Sequence, residues 1–297
     1  MKRTKAKTLF IVNPNAGQQK IQKLLFQLEN LDPPVAVQIT KYPKHAAQIV
    51  GEQFDNFDVF VAVGGDGTVN EMASALVGST KKLAVLPFGS GNGFAREFGF
   101  SRNLPHLMTA IEHGKTMSSD VMLVNGYVSM HISGVGYDGS VAHDFHKLKG
   151  RGFRNYLIST MRVIWRFVPI EASIELENET INGRFFMVNL ANTAQFGYGA
   201  QIAPQANPTD GRFDLVMVRA FPISLFPLFS LKLFLGRLKP SKHVQYLPCK
   251  NALIMRTSSD KFHIDGEPIL IESPVKIELS PYKVLVVDTG KAKFMRH

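Results

Sequence analysis

Residues 57–63 form a nearly continuous apolar segment that leads directly into the glycine-rich loop of residues 64–68, and this junction constrains the fold most strongly. A strand that is apolar throughout indicates a parallel sheet with both faces covered. Residues 8–12 and 83–86 are similar apolar segments, each followed by a loop and a helical pattern, and residues 36–40 form a further strand. This alternation predicts an α/β domain with a parallel sheet and right-handed crossovers.

Beyond about residue 122 the strand and helix alternation gives way to segments typical of antiparallel strands. These segments are residues 120–128, 170–176, 184–190, 213–219 and 275–279. At roughly 100 to 200 residues per domain, a chain of 297 residues favours two domains. We therefore predict an α/β domain over residues 1–122 and a mainly β domain over residues 123–287. The final strand, residues 283–287, or the tail, residues 288–297, lies close enough to the end to return to the first domain.

The chain carries a formal net charge of +10, from 34 Lys and Arg residues against 24 Asp and Glu residues. This excess attracts phosphates, but it does not distinguish a nucleotide from a nucleic acid or an anionic lipid headgroup. No recognition-helix, zinc-site or aromatic-basic pattern accompanies the charge, so we expect no nucleic acid partner. His131, His143 and His146 lack Cys or acidic partners at metal-ligand spacing and are interpreted as core or solvated residues.

Three features predict a cytoplasmic protein. The single cysteine, Cys249, cannot form an internal disulfide, so no oxidising compartment is required. The apolar residues 9–12 behind the basic first residues are fewer than the core of about 7 to 15 residues in a signal peptide. The most apolar segment, residues 220–231, contains two prolines and falls short of the roughly 20 residues that a transmembrane helix needs.

Three loops rich in glycine and asparagine follow three of the predicted strands. The carboxyl ends of parallel strands meet at one edge of a sheet, where loops and helix N-termini present backbone amides to ligands. Glycine lets this backbone approach phosphates closely, and successive amides form an anion-binding concavity. The loops, which together predict a nucleotide-phosphate site, are Asn13-Pro14-Asn15-Ala16-Gly17, Gly64-Gly65-Asp66-Gly67-Thr68 and Gly89-Ser90-Gly91-Asn92.

The second loop places a carboxylate, Asp66, among these glycines. It is not a Walker A loop, because no Gly-Lys-Ser/Thr follows, and it lacks the Gly-x-Gly-x-x-Gly fingerprint of dinucleotide-binding domains. A carboxylate beside phosphates is unfavourable unless a cation lies between them, so the loop predicts Mg²⁺ between Asp66 and the phosphates. The alternative interpretation is structural, with the glycines serving turns and Asp66 capping the following helix.

These loops, together with the continuation Val69-Asn70-Glu71 and Gly93-Phe94-Ala95-Arg96, resemble the diacylglycerol kinase catalytic family, which includes sphingosine and ceramide kinases and bacterial soluble lipid kinases. The resemblance extends through Asp210-Gly211-Arg212-Phe213-Asp214 to Asp265-Gly266-Glu267 and so covers nearly the whole chain. It implies an N-terminal Rossmann-like α/β domain and a C-terminal antiparallel β-sandwich domain. It also implies transfer of the γ-phosphoryl group of ATP to a lipid hydroxyl, with Mg²⁺ as cofactor.

The resemblance further implies a set of site residues, each at its motif position. The ATP-binding set is Asn13, Pro14, Asn15, Ala16, Gly17, Thr40, Gly64, Gly65, Asp66, Gly67, Thr68, Val69, Asn70, Glu71, Ser90, Gly91 and Asn92. Glu267 matches the proton acceptor of the family, and Asp66 is the second catalytic residue and a metal ligand. From the residues alone, Asp265-Gly266 predicts only a hairpin turn.

A second metal set lies in the mainly β part of the chain. By the resemblance, Asp210 and the backbone carbonyls of Asn207 and Arg212 match a structural Mg²⁺ site, and Asp214 is similar to an acidic residue that helps to hold the catalytic metal. One position departs from the family pattern, because many bacterial diacylglycerol kinase relatives have an aspartate where this chain has Gly93. The acceptor is therefore left open between a diacylglycerol-like and a sphingoid-like lipid.

A kinase with a lipid acceptor has to meet an anionic bilayer, and two segments are candidates for peripheral membrane contact. If residues 151–167 are helical, one face carries Arg151, Arg154, Arg162 and Arg166, and the opposite face carries Phe153, Tyr156, Ile164 and Phe167. The second segment, residues 221–238, is rich in Phe and Leu, and its Phe226 and Phe229 are predicted to contact liposomes. For both segments the alternative is packing against the protein core.

Two other functions stay open, as does the choice between a monomer and a homodimer. NAD kinase also has a Gly-Gly-Asp-Gly-Thr loop and phosphorylates a soluble ribose, although the other two loops and the Asp-Gly-Glu element argue against it. The second alternative is a nucleotide- or lipid-binding regulatory protein with weak or absent turnover. Gly93 favours that alternative, and the intact Asp66 and Glu267 argue against it.

Overall fold

The computed structural model describes residues 6–32, 34–148, 150 and 152–296 of the chain. Contacts between residues divide them into two compact units. The first unit comprises the residues up to Ser119 together with those from Tyr282 onward, and the second comprises Asp120–Pro281. Arg151, which belongs to the predicted basic helix, lies outside the described residues.

Strands and helices of the described residues are numbered along the chain. The strands are β1 (Thr8–Val12), β2 (Ala36–Ile39), β3 (Val59–Gly64), β4 (Lys82–Pro87), β5 (Thr116–Ser119), β6 (Met122–Val124), β7 (Tyr127–Ser129), β8 (Ile132–Gly136), β9 (Ile170–Glu175), β10 (Thr180–Ala191), β11 (Phe213–Arg219), β12 (Val244–Cys249), β13 (Leu253–Thr257), β14 (Lys261–Ile264), β15 (Glu267–Leu270), β16 (Val275–Leu279) and β17 (Val284–Val287). The helices are α1 (Gln18–Glu29), α2 (His45–Glu52), α3 (Asp66–Leu76), α4 (Gly93–Glu97), α5 (Leu104–His113), α6 (Tyr137–Lys147), α7 (Phe153–Ile164) and α8 (Phe226–Phe234).

The first unit is built on a six-stranded sheet in the order β2-β1-β3-β4-β17-β5. The pairings from β2 to β17 are parallel, and β5 is antiparallel to β17. Every residue of β3 is buried, as expected for a central strand with both faces covered. The predicted α/β domain with its parallel sheet is therefore confirmed.

Strand β17 belongs to this sheet, whereas residues 283–287 were assigned to the second domain with their return to the first left open. It pairs with β4 on one side and β5 on the other. Val284, Val286 and Val287 are buried. An apolar strand in this position gains hydrogen bonds along both edges, and this explains why it joins the first unit.

The second unit is an antiparallel β structure. Its strands pair in the order β15-β14-β8-β10-β9-β13-β16-β6-β7, and β11 bridges β10 and β12. Neighbouring residues of β10 point to opposite faces, as the two-residue period of a strand requires. Phe185 packs into a cluster of strand side chains, and Phe186 packs into a second cluster that includes residues of α6, α7 and α8. The predicted antiparallel β-sandwich is confirmed for this part of the chain.

The prediction of one strand over residues 120–128 is wrong in detail. The structure has two short strands, β6 and β7, paired antiparallel as a hairpin. Asn125 and Gly126 form the two-residue turn between them, with φ angles of 46° and 81°. Asn-Gly is among the strongest hairpin signals because both residues tolerate positive φ, so the turn ends the strand at Val124.

The two segments predicted to meet a membrane differ from expectation in which side chains they expose. Phe226 and Phe229 are only 9% exposed, because they pack into the second apolar cluster. Their burial agrees with the alternative of packing against the protein core. Of the residues predicted opposite the arginines of α7, Phe153 is exposed and Ile164 is buried. Among the described residues, no helix combines the length and apolar character that crossing a bilayer requires.

Candidate functional site

The three glycine-rich loops meet at one edge of the first sheet. They follow β1, β3 and β4, which are neighbours in the strand order. The side-chain amide of Asn13 in the first loop donates a hydrogen bond to Thr68 Oγ1 in the second, at 3.2 Å. The backbone N–H groups of Phe88 and Gly89 donate to the carbonyl of Gly64, at 2.8 and 2.9 Å. These bonds join the three loops into one connected rim.

Asp66 links the second loop to the start of α4, directly after the third loop. It is the first residue of α3, where a negative charge is favoured by the helix dipole. The N–H of Gly93 donates to its Oδ2 at 3.1 Å, and the N–H of Phe94 donates to its Oδ1 at 3.2 Å. Both donors lie at the start of α4. The carboxylate is thus oriented by backbone amides that follow the third loop.

Glycine is required where the second and third loops touch. A Cβ atom at Gly89 would lie well inside van der Waals contact with the Cα of Gly65. A Cβ at Gly64 would collide with the side chain of Thr68. In the first loop, Gly17 has a φ of 71° and begins α1 in the left-handed region that favours glycine. The glycines therefore allow close approach of backbone to backbone. The structural interpretation of Asp66 as the cap of α3 is wrong, because Gly65 is the N-cap and Asp66 is the first residue of the helix.

The side chain of Asn92, at the end of the third loop, presents a buried acceptor. Its Nδ2 donates to the carbonyl of Gly89 at 2.8 Å. Its Oδ1 is buried and has no hydrogen-bond partner within the described part of the chain. A buried acceptor without a partner is destabilising, and a donor on a bound ligand, such as a ribose hydroxyl or an adenine amino group, would satisfy it. The rim therefore contains a buried acceptor whose hydrogen bonding is incomplete within the described residues.

The other residues implied for ATP binding have varied surroundings. The backbone N–H of Thr40 donates to the carbonyl of Val12 at 2.9 Å, which brings Thr40 to the same edge of the sheet. Glu71 accepts N–H bonds from Lys44 and Ala46 at the start of α2, and Val69 is buried in the core. The remaining members lie in the loops or in the first turns of α3, namely Pro14, Asn15, Ala16, Gly67, Asn70, Ser90 and Gly91.

Glu267 begins β15, directly after the turn of the β14–β15 hairpin. Asp265 and Gly266 form this turn, with φ angles of 51° and 89°. Two consecutive residues with positive φ are characteristic of a type I′ turn, whose twist matches that of the flanking strands. The hairpin turn predicted from Asp-Gly is confirmed. Its backbone fixes where the Cα of Glu267 lies relative to the strands.

The buried carboxylate of Asp265 accepts hydrogen bonds that hold this turn in place. Ser129 Oγ donates to its Oδ1 at 2.8 Å, and the N–H groups of Met130 and His131 donate at 2.8 and 3.0 Å. Hydrogen bonds to a charged, buried acceptor are shorter and stronger than neutral ones. The turn is therefore tied to the connection between β7 and β8.

A second buried group holds the other side of the same turn. His263 Nδ1 accepts the N–H of Gly266 at 3.2 Å, so Nε2 carries the ring proton and donates to Asp138 Oδ2 at 2.8 Å. The side chains of His263 and Asp138 are only 3% and 9% exposed. Asn189 also donates to this carboxylate. A Cβ at Gly134 would collide with both Asn189 and Asp138, so glycine makes room for the pair.

The Glu267 carboxylate itself is partly exposed. Its Oε2 lies 3.9 Å from Nδ1 of His146 on α6, and both side chains reach solvent. His143 is within 3.2 Å of the carbonyls of Phe262 and Ile269, and His131 is buried beside Thr193. The interpretation of the three histidines as core or solvated residues holds, since His131 is buried, His143 is partly buried and His146 is exposed. The proximity of His146 to Glu267 gave no local signal in the sequence.

The second metal set is only partly assembled. Arg212 Nε donates to Asp210 Oδ2 at 2.7 Å, so a guanidinium faces the carboxylate that was expected to hold Mg²⁺. Asn207 Oδ1 accepts bonds from Thr209. Burial, and then the nearby Asp210 carboxylate, raise the pKa of Asp214, which a cation would offset. Among the described residues, no three His, Cys, Asp or Glu side chains are grouped to hold a metal ion.

The donor chemistry of both carboxylate sets nevertheless suits Mg²⁺, which prefers oxygen ligands and retains several waters. A carboxylate offers about four lone-pair positions, so a carboxylate that accepts amide hydrogen bonds, as Asp66 does, can in addition bind a cation. For Asp210, the guanidinium of Arg212 would have to move aside.

Comparisons with known proteins agree with this architecture. The model of the diacylglycerol kinase catalytic domain matches residues 7–124. The model described as the YegS C-terminal NAD kinase beta sandwich-like domain matches residues 131–288. The chain is 26% identical over 267 residues to a diacylglycerol kinase of Bacillus subtilis, which covers 86% of this chain and 88% of that protein.

Two solved structures show the same fold. A diacylglycerol kinase of Bacillus anthracis has a TM-score of 0.74 at 21% identity, covering 96% of this chain and 98% of that one. An NAD kinase of Archaeoglobus fulgidus, solved in complex with ATP, has a TM-score of 0.56 at 14% identity, covering 96% and 95%. With both of its domains matched, the chain belongs to the diacylglycerol kinase catalytic family, in the form that carries a YegS-type C-terminal β-sandwich.

Proposed function

We propose that the protein is an ATP- and Mg²⁺-dependent lipid kinase that transfers the γ-phosphoryl group to the hydroxyl of a diacylglycerol-like or sphingoid-like lipid. The observation that carries the proposal is Asp66, a carboxylate oriented by backbone amides within a rim of three glycine loops. Membership of a family of lipid kinases supports the reaction class.

The rim supplies what a triphosphate needs. Backbone amides at the ends of β1, β3 and β4 can face phosphate oxygens without intervening side chains. The buried Oδ1 of Asn92 can accept a hydrogen bond from the nucleoside. Mg²⁺ held by Asp66 would neutralise phosphate charge when bound, and Asp214 is proposed to help to hold this catalytic metal. Asp210 and the carbonyls of Asn207 and Arg212 would hold a separate, structural Mg²⁺.

Glu267 is proposed to accept the proton of the lipid hydroxyl. As the hydroxyl oxygen forms its bond to the γ-phosphorus, the bond from that phosphorus to the bridging oxygen breaks and ADP leaves. The hydroxyl proton passes to the Glu267 carboxylate, whose half-exposed position allows both contact with an incoming acceptor and later release of the proton to water. Asp265 and His263 hold the turn from which this side chain projects.

The departure at Gly93 leaves the mounting of Asp66 intact. The bond to Asp66 Oδ2 comes from the backbone N–H of Gly93, which every residue except proline provides. Gly93 is buried, so a carboxylate at this position would add a second negative charge beside Asp66. The absence of the family's aspartate at this position therefore alters the charge near the phosphates more than it alters the loop geometry. The identity of the acceptor lipid has to be determined by assay.

The proposal is tested with radiolabelled ATP, Mg²⁺ and a panel of acceptors in mixed micelles: diacylglycerol, monoacylglycerol, sphingoid base, ceramide, phosphatidylglycerol and polyprenol, with NAD in a parallel reaction. We expect label in the organic phase for one lipid class, and no labelled lipid with Asp66→Asn. Label that stays with NAD would instead support a soluble acceptor. No transfer to any acceptor by a protein that binds ATP would support the regulatory alternative.

A further inference from the structure

Helix α7 carries an exposed apolar stripe along one side. Phe153, Leu157 and Met161 follow one another at intervals of four residues, which places them on one side of the helix, and Trp165 continues the series just beyond it. All four side chains are exposed, Trp165 to 73%. Ser159 and Ile164, by contrast, are buried. Phe153 also contacts the rings of Tyr198 and Phe234, whereas Leu157, Met161 and Trp165 are about half exposed or more.

Helix α8 exposes a second group of apolar side chains. Phe226 and Phe229 face the protein interior, and their neighbours Leu228, Leu231 and Leu235 are all about half exposed. Such a helix has no polar outer face to solvate it, because its outward positions are mostly leucine. Lys232 is the basic residue in its last turn.

The two helices adjoin at Phe153 and Phe234. The rings of Phe153 on α7 and Phe234 on α8 lie 6.4 Å apart between centroids in an edge-on arrangement. We call the exposed residues of this region the α7–α8 surface, and its main apolar members are Leu157, Met161, Trp165, Leu228, Leu231 and Leu235. Large contiguous apolar patches on a folded protein mark sites of interaction.

The charge of this region is entirely of one sign in the sequence. No Asp or Glu occurs between Asp144 and Glu171 or between Asp214 and Asp260, while these spans contain six and seven Lys or Arg residues. Arg154, Arg162 and Arg166 are exposed next to the apolar stripe of α7. Apolar side chains flanked by arginine, with a tryptophan at their edge, match the interface of an anionic bilayer.

We propose that the α7–α8 surface docks the protein on an anionic lipid bilayer, with the leucines and Trp165 entering the boundary of the acyl chains and the arginines contacting headgroup phosphates. The inference rests on the proposed function, because it assigns the surface that brings the kinase to its acceptor. The occupant is a lipid surface, since the exposed charged residues of these segments, Arg154, Arg162, Arg166 and Lys232 among them, are all basic and accompany exposed apolar side chains.

Trp165 provides a direct test, because it is the only tryptophan of the chain. The protein without ATP or Mg²⁺ is mixed with vesicles of phosphatidylglycerol and phosphatidylcholine, or of phosphatidylcholine alone. We expect a blue shift of the emission and quenching by acyl-brominated lipids with the anionic vesicles, weakened by salt. An unshifted, unquenched emission at all anionic lipid concentrations would overturn the proposal.

Paired substitutions then test both helices together. Leu157→Ser combined with Leu228→Ser is expected to weaken vesicle binding in flotation by about tenfold or more, because each leucine loses its apolar burial. Ile254→Ser, at an exposed apolar residue of β13, serves as the matched control and should bind as wild type. Unfolding midpoints and ATP binding verify that each variant is folded. A double variant that still floats like wild type would contradict the assignment.

A second variant keeps the proposal testable if the leucine pair does not fold. Arg162→Gln with Arg166→Gln leaves the apolar side chains in place and should reduce binding to anionic vesicles about fivefold or more while flattening its salt dependence. Unaltered binding and salt dependence would count against the surface. The alternative occupant of the surface is a second copy of this chain, and light scattering tests it. A wild-type dimer that the two leucine substitutions dissociate would identify the surface as a dimer interface and overturn the bilayer proposal.

The failures of the two proposals are distinguishable. Vesicle binding is measured without nucleotide, so a protein that binds vesicles through these residues but phosphorylates no lipid overturns the proposed function alone. A protein that phosphorylates detergent-dispersed lipid, and whose leucine variant also binds vesicles normally, overturns the docking surface alone.

Discussion

The two carboxylates proposed for catalysis are held in different ways. Asp66 is oriented by backbone N–H groups at the start of α4, between loops whose glycines touch. Glu267 projects from a turn that is held by buried side chains, with Asp265 on one side and the pair of His263 and Asp138 on the other. A backbone-held group tolerates side-chain changes in its donors, whereas a side-chain-held group depends on each buried partner. The predictions below test this difference.

The largest effect is expected at the backbone-held carboxylate. Asp66→Asn removes the charge and replaces one acceptor oxygen by a donor that faces a backbone N–H, so we expect turnover to fall about a thousandfold. The measurement is labelled lipid formed per unit time at saturating ATP. Turnover within a fewfold of wild type would show that Asp66 serves only the structure of the loops.

At the side-chain-held carboxylate, Glu267→Gln should lower turnover about a hundredfold or more, because the proton acceptor is lost. ATP affinity should not change, since Glu267 is proposed to act on the lipid hydroxyl and is not among the residues proposed to bind ATP. Glu272→Gln, at an exposed carboxylate shortly after β15, is the matched control and should retain full turnover. A joint loss of ATP affinity would indicate a role in nucleotide binding instead.

The loop packing predicts a smaller effect on the nucleotide itself. Gly89→Ala inserts a methyl group against the Cα of Gly65, so the loops must separate, and we expect about a tenfold loss of ATP affinity with about 1–3 kcal/mol lower stability. Gly51→Ala on α2 is the control, because a Cβ there meets nothing within 4 Å. Equal ATP affinity and unfolding midpoints for the two variants would refute close packing as the reason for the glycine.

The smallest effect is expected from the buried pair beneath the turn. Asp138→Asn removes the charged acceptor of His263, and we expect kcat to fall about tenfold through misplacement of Glu267, with the KM for ATP unchanged. Asp144→Asn, on the same helix and at similar exposure, should have little effect. If Asp138→Asn lowers stability but not kcat, the pair supports the fold without positioning Glu267.

The loops that hold Asp66 could be predicted from the sequence. Consecutive glycines indicate the loop between β3 and α3. Residues 8–12 coincide with β1 because a short apolar run bounded by turn residues has few alternatives to a buried strand. The Asn125-Gly126 turn carried an equally local signal, but the alternating pattern around it was interpreted as one strand.

The buried side chains that hold the turn before Glu267 could not be predicted from the sequence. Asp138 and His263 are 125 residues apart, and nothing in either local segment indicates that they meet. The orientation of α8 was also missed, because a helix with apolar residues on every side gives no periodic signal for which phenylalanines face inward. Long-range partners and the choice of buried face depend on tertiary packing, which local patterns do not encode.

The late strand β17 has a consequence for synthesis on the ribosome. It lies between β4 and β5, yet it is made only after the entire second unit has been translated. Until then the nascent N-terminal domain exposes unpaired edges at β4 and β5, which are open to pairing with other chains. A fragment ending at Ser119 would carry those open edges permanently, so it should aggregate unless a peptide containing Val284–Val287 is supplied in trans.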